Sequence, residues 1–219
     1  MTEPRDRRAG DGPVTDDLRT DHPNPWQTLS SRPIYENPWI RVREDQVIRP
    51  DGNPGIYGVV HMQHWAIAVV PLTDDGDTVL IGQYRYTLDL YSWEIPEGGG
   101  EHTETPLAAA QRELLEEAGV TATTWTYLGE AHLSNSATDE VGAIFLAEGL
   151  TFGESSPDGT EDLLVRRVPF AEAVRMALTG EISDALAVIG LLRADHFLKS
   201  GRSWQPIERS FPGLGRQQR

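Results

Sequence analysis

The chain has no cysteine, few basic residues and no long apolar run, and each absence excludes a class of function. Without cysteine there is no disulfide, no thiol catalysis and no zinc site of the cysteine type. The 19 lysines and arginines stand against 34 aspartates and glutamates, which leaves a net charge of −15. Because sequence-independent binding of nucleic acid relies on basic surface, we expect no nucleic-acid partner.

The apolar content also argues against a membrane location. No apolar run approaches the roughly 18 residues that a membrane-spanning helix requires. The N-terminal residues lack the apolar segment of a secretory signal. We therefore expect no membrane partner and predict a cytoplasmic protein.

The length of 219 residues suits one domain with extensions at both ends. Residues 1–25 are rich in Asp, Arg, Pro and Gly and predict a disordered tail. Residues 26–60 contain two strand-like segments around a turn and predict a β-hairpin region. Residues 61–199 combine short apolar strands with helices and predict the main α/β domain. Residues 200–219 predict an irregular tail.

One acidic helix follows a glycine-rich loop at residues 98–100. Thr105 suits the N-cap, Pro106 the first helical position and Gly119 the left-handed residue at the end. An apolar stripe at three- and four-residue steps supports the helix; it comprises Leu107, Ala110, Leu114 and Ala118.

Three carboxylates lie close together on this predicted helix. Glu113 and Glu117 are four residues apart and share a face, and Glu116 lies beside them. A run of charge by itself usually faces water. Rigidly held carboxylate oxygens are also the ligands that Mg²⁺ prefers, so the spacing around the helix decides between the two interpretations.

That spacing is distinctive. Gly98 is followed after five residues by Glu104 and after seven more by Arg-Glu-Leu-Leu-Glu-Glu-Ala-Gly-Val at 112–120. This pattern matches the Nudix box, and the chain strongly resembles the Nudix hydrolases, which cleave a nucleoside diphosphate linked to another moiety.

The resemblance implies an α/β/α sandwich with a mixed central sheet. Glu113, Glu116 and Glu117 would ligate Mg²⁺ or Mn²⁺, and the backbone carbonyl of Glu97 or Gly98 would add a ligand. Glu104 and Arg112 would form an ion pair that orients the loop. Arg112 and Glu116 are counted among the catalytic residues.

Segments outside the box resemble the ADP-ribose pyrophosphatase branch and, more broadly, the nucleoside-diphosphate-sugar hydrolases. These segments are Gln-Tyr-Arg at 83–85, Trp-Glu-Ile-Pro at 93–96 and the acidic end of loop 134–140. By this resemblance Arg85 binds the diphosphate, and Glu94 and Glu140 bind substrate. The N-terminal strands of this branch commonly form a homodimer. Tyr57, or in its place Trp26 or Trp39, would then stack on the base, although core packing remains an alternative for each.

Two points stay open at this level. ADP-ribose pyrophosphatases usually carry a proline where this chain has Ser136, so another nucleoside diphosphate sugar is an alternative substrate. The general base implied by the resemblance is Glu161, with Glu154, Asp158 and Asp162 as nearby alternatives.

Two other function classes are alternatives to this interpretation. One is a Nudix hydrolase of dinucleoside polyphosphates or damaged nucleotides, and the other is a non-catalytic nucleotide-sugar sensor.

Overall fold

The computed structural model describes residues 23–101, 103–154 and 162–202. Most of the predicted tails, 1–25 and 200–219, therefore lie outside the described residues, as does Glu161. One compact unit lies within Met1–Ser31 and Asp45–Tyr57, and the other within Arg32–Glu44 and Gly58–Arg219.

The N-terminal region contains three strands. They are β1 (Gln27–Glu36), β2 (Ile40–Ile48) and β3 (Pro54–Met62), in the order β1-β2-β3. The predicted segments at 39–48 and 56–60 correspond to β2 and β3. Between them the chain turns where Gly52, at φ 82°, donates its N–H to the carbonyl of Arg49. The sequence does not predict β1, because its exposed residues lack both alternation and an apolar run.

Seven further strands and three helices make up the rest of the described chain. They are β4 (Trp65–Pro71), β5 (Asp77–Arg85), β6 (Leu90–Glu94), β7 (Glu97–Gly100), α1 (Pro106–Ala118), β8 (Val120–His132), β9 (Val141–Phe152), β10 (Leu164–Pro169), α2 (Phe170–Thr179) and α3 (Ala185–Lys199). One sheet has the order β7-β4-β9-β8 and is mixed, because β4 pairs with β9 in parallel and with β7 antiparallel. The other has the order β10-β5-β6 and is antiparallel. No helix of these described segments is long and apolar enough to cross a membrane.

The mixed sheet is buried on both faces, which explains why its central strands are almost continuously apolar. On β4, Ile67 and Val69 join a core cluster that includes Leu114 of α1. The alternate residues, Ala68 and Val70, join a second cluster with residues of α2 and α3. Helices thus cover opposite faces of the sheet, and the predicted α/β/α sandwich with a mixed sheet is confirmed.

Two segments predicted as loops are strands. Residues 98–100 belong to β7, where Gly98 pairs with Ile67 and Gly100 with Trp65. Glycines give no apolar signal, so only the neighbouring strand β4 makes this segment a strand. The sequence of 149–160 is also typical of a loop, but residues 149–152 continue β9 in register with the start of β8.

The helix bounds agree with the sequence better than the buried faces do. Thr105 caps α1 by accepting the N–H of Ala108, and Gly119 ends it at φ 65°. Leu107, predicted to be buried, is 38% exposed, and Ala109 is buried in its place. On α3 the sequence favours a buried stripe of Ala185, Val188, Ile189 and Leu192, but Ala185 is exposed and the other three are only partly buried against the core. The buried residues there are Leu186, Ala187, Gly190, Leu191, Ala194 and Phe197, because a helix that is apolar nearly all round does not reveal its buried face.

Gly142 on β9 is a test of this packing. A Cβ at this position would lie 2.5 Å from Cδ2 and 3.3 Å from Cγ of Leu186 on α3. We expect Gly142→Ala to lower the free energy of unfolding by about 1–3 kcal/mol, because overpacking a close helix–sheet contact forces a shift. Urea unfolding measures it. Gly58→Ala is the matched strand control, since no neighbouring atom lies within 4 Å of its Cβ position. Equal stability of the two variants would contradict this account.

Candidate active site

The acidic helix α1 packs its carboxylates against the glycine strand β7. Glu113 and Glu117 are buried, 9% and 2% exposed, whereas Glu116 is more open. The carboxylate of Glu117 accepts the backbone N–H of Glu97 at 2.8 Å. A Cβ on Gly98 would lie 2.2 Å from Cδ of Glu113. The backbone of β7 and two carboxylates of α1 thus meet at one place, and only glycine leaves room for Glu113.

Arg112 connects these acids to the segment before the helix. Its Nη1 donates to Glu113 at 2.7 Å and to Glu116 at 2.9 Å. Its Nη2 donates to Glu104 and to the carbonyl of Gly99, both at 2.8 Å. The hydrogen bond to Glu104 is the main cause that raises the pKa of Arg112, and the same bond lowers the pKa of Glu104. The predicted Glu104–Arg112 ion pair is therefore present, and Arg112 also orients two of the predicted metal ligands.

A second charged group lies at the ends of β5 and β6. Arg85 donates from Nε to Glu94 Oε1 at 2.8 Å and from Nη2 to Glu94 Oε2 at 2.5 Å, and it also contacts Glu97. Gln83 donates to the same Glu94 at 3.0 Å. Burial acts to raise the pKa of Glu94, but the bonds and charge of Arg85 outweigh it and hold that pKa below its usual range. Glu94 is thus a buried anion that fixes the position of Arg85.

The surroundings of Glu97 disfavour its charged form. Burial first, and then the charges of Asp184 and Glu94, raise its pKa well above the usual range, although Arg85 opposes them. Its Oε2 is buried and has no hydrogen-bond partner among the described residues. Ligand oxygens of Glu94, Glu97 and Asp184 all lie within 4.8 Å of one another.

The sequence does not single out Asp184. Its local role is to cap α3, where Oδ1 accepts the N–H of Ala187 at 2.7 Å. An N-cap aspartate before an apolar helix is a common structural signal. Only the tertiary fold brings this cap beside Glu97, so spacing along the chain could not reveal it.

A cavity of about 650 Å³ brings together five of the predicted site residues, and its volume is typical of small-molecule sites. Its lining contains the predicted residues Arg85, Glu94, Glu97, Gly98 and Glu140. It also contains residues that sequence reasoning did not assign to substrate, among them His64, Gln83, Asp184 and Leu133. Burial, followed by the charges of Asp184 and Asp139, raises the pKa of Glu140.

Two of the predicted metal ligands on α1 contact residues that line this cavity. Among the described residues, its lining does not include Glu113, Glu116 or Glu117. Glu113 and Glu117 instead contact Gly98 and Glu97, which do line it. Carboxylate oxygens therefore approach β7 from the helix side and from the cavity side.

A hard divalent cation fits the oxygen donors around β7, which come from α1 on one side and from the cavity on the other. Such cations take several oxygen ligands, mostly carboxylates and backbone carbonyls. The buried and unsatisfied Oε2 of Glu97 and the mutual repulsion around it are what a cation would relieve. Arg85 offsets only part of this negative charge.

The remaining predicted residues are not tested by this geometry. Glu161 lies in 155–161, outside the described residues. Tyr57 makes an edge-to-face contact with Trp26 at 5.2 Å between ring centroids. Its stacking on a base stays a prediction. Trp39, one of the two alternatives beside Trp26, lines the cavity and is largely exposed.

A mixed sheet between helices, with an acidic helix packed on a glycine strand, defines the class of Nudix-fold hydrolases. The chain belongs to this family, because the NUDIX domain matches residues 62–188. The nucleoside diphosphate sugar hydrolase N-terminal domain matches residues 26–60. The prediction of a Nudix pyrophosphohydrolase is confirmed.

Individual relatives place the chain within the family. It is 34% identical over 180 residues to an ADP-ribose pyrophosphatase of Mycobacterium tuberculosis, covering 80% of this chain and 86% of that protein. It is 31% identical over 161 residues to an ADP-ribose pyrophosphatase of Bacillus subtilis, covering 73% and 86%. A crystal structure of an ADP compounds hydrolase has the same fold, with a TM-score of 0.73, 23% identity, and coverage of 84% of this chain and 100% of that one. The predicted resemblance to the ADP-ribose pyrophosphatase branch is confirmed.

Proposed function

We propose that this protein hydrolyses the diphosphate bond of ADP-ribose, or of a related nucleoside diphosphate sugar. With ADP-ribose and water the products are AMP and ribose 5-phosphate. The observation that carries the proposal is that Arg85 contacts Glu97 at the cavity, while Glu117 of α1 accepts the backbone N–H of that same Glu97. The matched N-terminal domain and the two ADP-ribose pyrophosphatase relatives support the substrate class.

A divalent cation, Mg²⁺ or Mn²⁺, belongs to this proposal. Glu113, Glu116 and Glu117 would hold it, with the backbone carbonyl of Glu97 or Gly98. When bound, such an ion neutralises phosphoryl charge and lowers the pKa of a bound water. Arg112 hydrogen bonds to Glu113 and Glu116 and orients their carboxylates for this purpose.

The other side chains of the site bind substrate and move a proton. Arg85 presents a planar guanidinium, which suits paired phosphate oxygens, and Glu94 fixes its direction. Charge that develops on the phosphoryl oxygens is stabilised there without reorganisation. Glu94 and Glu140 line the cavity and are the proposed contacts to substrate hydroxyl groups. Glu161 remains the proposed general base, with Glu154, Asp158 and Asp162 as alternatives.

Three further predictions belong to the proposal. We propose a homodimer formed through residues 26–60, supported by the exposed apolar side chains of β1, which are Leu29, Ile34 and Tyr35. Tyr57 is proposed to stack on the base, with Trp26 or Trp39 as the alternatives. We also propose that the enzyme acts in the cytoplasm, as its composition predicts.

The proposal predicts phosphate release from ADP-ribose that depends on a divalent cation. The full chain is incubated with Mg²⁺ and a panel of nucleoside diphosphate sugars, dinucleoside polyphosphates and damaged nucleotides. After the reaction is stopped and the metal ions that alkaline phosphatase needs are restored, that enzyme converts the monophosphate products to measurable phosphate. We expect turnover of ADP-ribose or another nucleoside diphosphate sugar, complete loss with EDTA and recovery with excess Mg²⁺.

Three results would contradict the proposal. Preferred turnover of dinucleoside polyphosphates or damaged nucleotides would assign another substrate class. Binding of a nucleotide sugar without turnover would make the protein a sensor. Undiminished turnover in EDTA would remove the cation from the reaction.

A further inference from the structure

A network of three side chains around one buried histidine lies beside the cavity and has no part in the chemistry proposed above. Its members are Arg43 on β2, His61 on β3 and Asp139 in the loop 133–140, which joins β8 to β9. His61 Nδ1 lies 2.6 Å from Asp139 Oδ2, and Arg43 Nη1 lies 2.5 Å from His61 Nε2. His61 is only 9% exposed. The network therefore connects two strands to one loop through a single imidazole.

Hydrogen-bond chemistry determines the direction of this network. A guanidinium has donors and no acceptor, so Nε2 of His61 must accept from Arg43. The ring proton is then on Nδ1, which donates to the carboxylate of Asp139. A hydrogen bond to a charged acceptor is roughly twice as strong as one between neutral groups. In this arrangement the imidazole bonds to a charged group at each ring nitrogen, and its bond to Asp139 reaches the loop.

Asp139 ties the loop to β3 at further points. Its Oδ1 accepts the backbone N–H of Met62 at 3.0 Å. Its own N–H donates to the carbonyl of Val60 at 3.3 Å, and Val60 donates in return to Ala137 at 2.9 Å. The loop thus lies along the end of β3, and the carboxylate of Asp139 supplies the side-chain bonds of that contact.

The residue next to Asp139 is the one that reaches the cavity. Glu140 lines it, and so does Leu133 at the other end of the same loop, whose N–H donates to the carbonyl of Glu140 at 3.1 Å. The carboxylates of Asp139 and Asp184 both disfavour a charge on Glu140. The bonds of Asp139 to His61 and to Met62 hold the loop next to Glu140 against the end of β3.

We propose that His61 and Asp139 are positioning residues for substrate binding, which hold Glu140 at the cavity. The proposal rests on the proposed function for its substrate, a nucleoside diphosphate sugar whose hydroxyl groups Glu140 would contact. It predicts an effect on substrate binding, because neither side chain touches the reacting atoms. Loss of binding alone raises KM and leaves kcat nearly unchanged.

Two substitutions of His61 separate the two ring nitrogens. The amide nitrogen of Asn is as many bonds from Cβ as Nδ1 is, so His61→Asn keeps a donor to Asp139 and loses the contact with Arg43. The amide of Gln corresponds to Nε2, so His61→Gln faces Arg43 and loses the donor to Asp139. We expect His61→Gln to raise the KM for ADP-ribose at least about tenfold with kcat within about threefold, and His61→Asn to stay within about threefold in both.

Hydrogen exchange of the loop 133–140 tests whether His61 and Asp139 hold this loop, and it requires no substrate. In His61→Gln the amides of Ala137, Thr138 and Asp139 should exchange faster than in the native chain, with the sheet still protected. In His61→Asn they should not. This readout remains decisive if no nucleotide sugar is hydrolysed. Failure of the proposed function and failure of the positioning role are therefore distinguishable.

A double-mutant cycle with Glu140→Gln tests the link to the cavity. If His61 acts through Glu140, the KM increases of His61→Gln and Glu140→Gln should fall well short of additivity. Additive increases, an unchanged KM in His61→Gln, equal effects of His61→Asn and His61→Gln, or faster exchange over the whole chain would each overturn the proposal. The last result would show that His61 stabilises the fold in general.

Discussion

Replacement of Glu117 by Gln is expected to lower kcat by at least about 10²-fold, because the acid holds one of the charges that face the proposed cation and the diphosphate. The side chain is 2% exposed and accepts the N–H of Glu97 at 2.8 Å. A glutamine has nearly the same shape, and its amide oxygen can accept the same bond. The variant therefore removes a charge and keeps the local structure.

Stability should not follow activity in this variant. Glu117 is one of the charges that raise the pKa of Glu97, after burial and after Asp184 and Glu94. Removing it relieves repulsion among buried carboxylates, so the Tm of Glu117→Gln without added metal should equal or exceed that of the native chain. A loss of activity at equal or higher stability is typical of residues kept for function at a cost in stability.

Steady-state kinetics with ADP-ribose and a Mg²⁺ titration measure the effect, together with thermal unfolding. Glu172→Gln is the matched control, since it makes the same change at an exposed carboxylate on α2, paired there with Arg175. The control should keep kcat within about twofold, as surface substitutions usually do little. A kcat for Glu117→Gln within about tenfold of the native value would leave no room for a ligand role.

The parts of the site that the sequence could predict are those that local chemistry determines. The helix α1 begins and ends where Thr105, Pro106 and Gly119 predict, because helix caps depend on neighbours along the chain. The relation of Glu113 to Glu117 follows from helical periodicity in the same way. The spacing of the box and the strand end at Arg85 then place these residues in one family.

The remaining features depend on contacts between distant segments. Glu97 receives its unusual environment from Asp184, which lies far along the chain and locally serves only as a helix cap. β7 is a strand only because β4 pairs with it. The fully buried face of α3 does not follow from the sequence, because residues 185–192 are apolar on every side. A network such as Arg43–His61–Asp139 joins three elements, and no spacing along the chain indicates it.

The second large effect is expected from a single methyl group, in Gly98→Ala. Gly98 does not require a left-handed backbone, since its φ is not among the positive values, so an alanine is not strained by conformation. The conflict is steric, because the added Cβ would lie 2.2 Å from Cδ, 2.3 Å from Oε2 and 2.5 Å from Oε1 of Glu113. The carboxylate of Glu113 must then move by an ångström or more. A displacement of that size at a catalytic group can cost on the order of 10²-fold in rate, and we expect a loss of kcat of at least that size.

The neighbouring glycine is the control for Gly98→Ala. Successive residues of a strand face opposite sides, and a Cβ on Gly99 would meet Cβ of His64 at 3.5 Å, an ordinary contact. Gly99→Ala keeps the carbonyl that accepts from Arg112, so its kcat should fall by no more than about fivefold. If Gly98→Ala acts by displacing Glu113, the double variant Gly98→Ala/Glu113→Gln should be no slower than Glu113→Gln alone. Multiplicative losses in that pair, or equal losses in the two alanine variants, would show that Gly98 serves the site through its backbone and not by leaving room for Glu113.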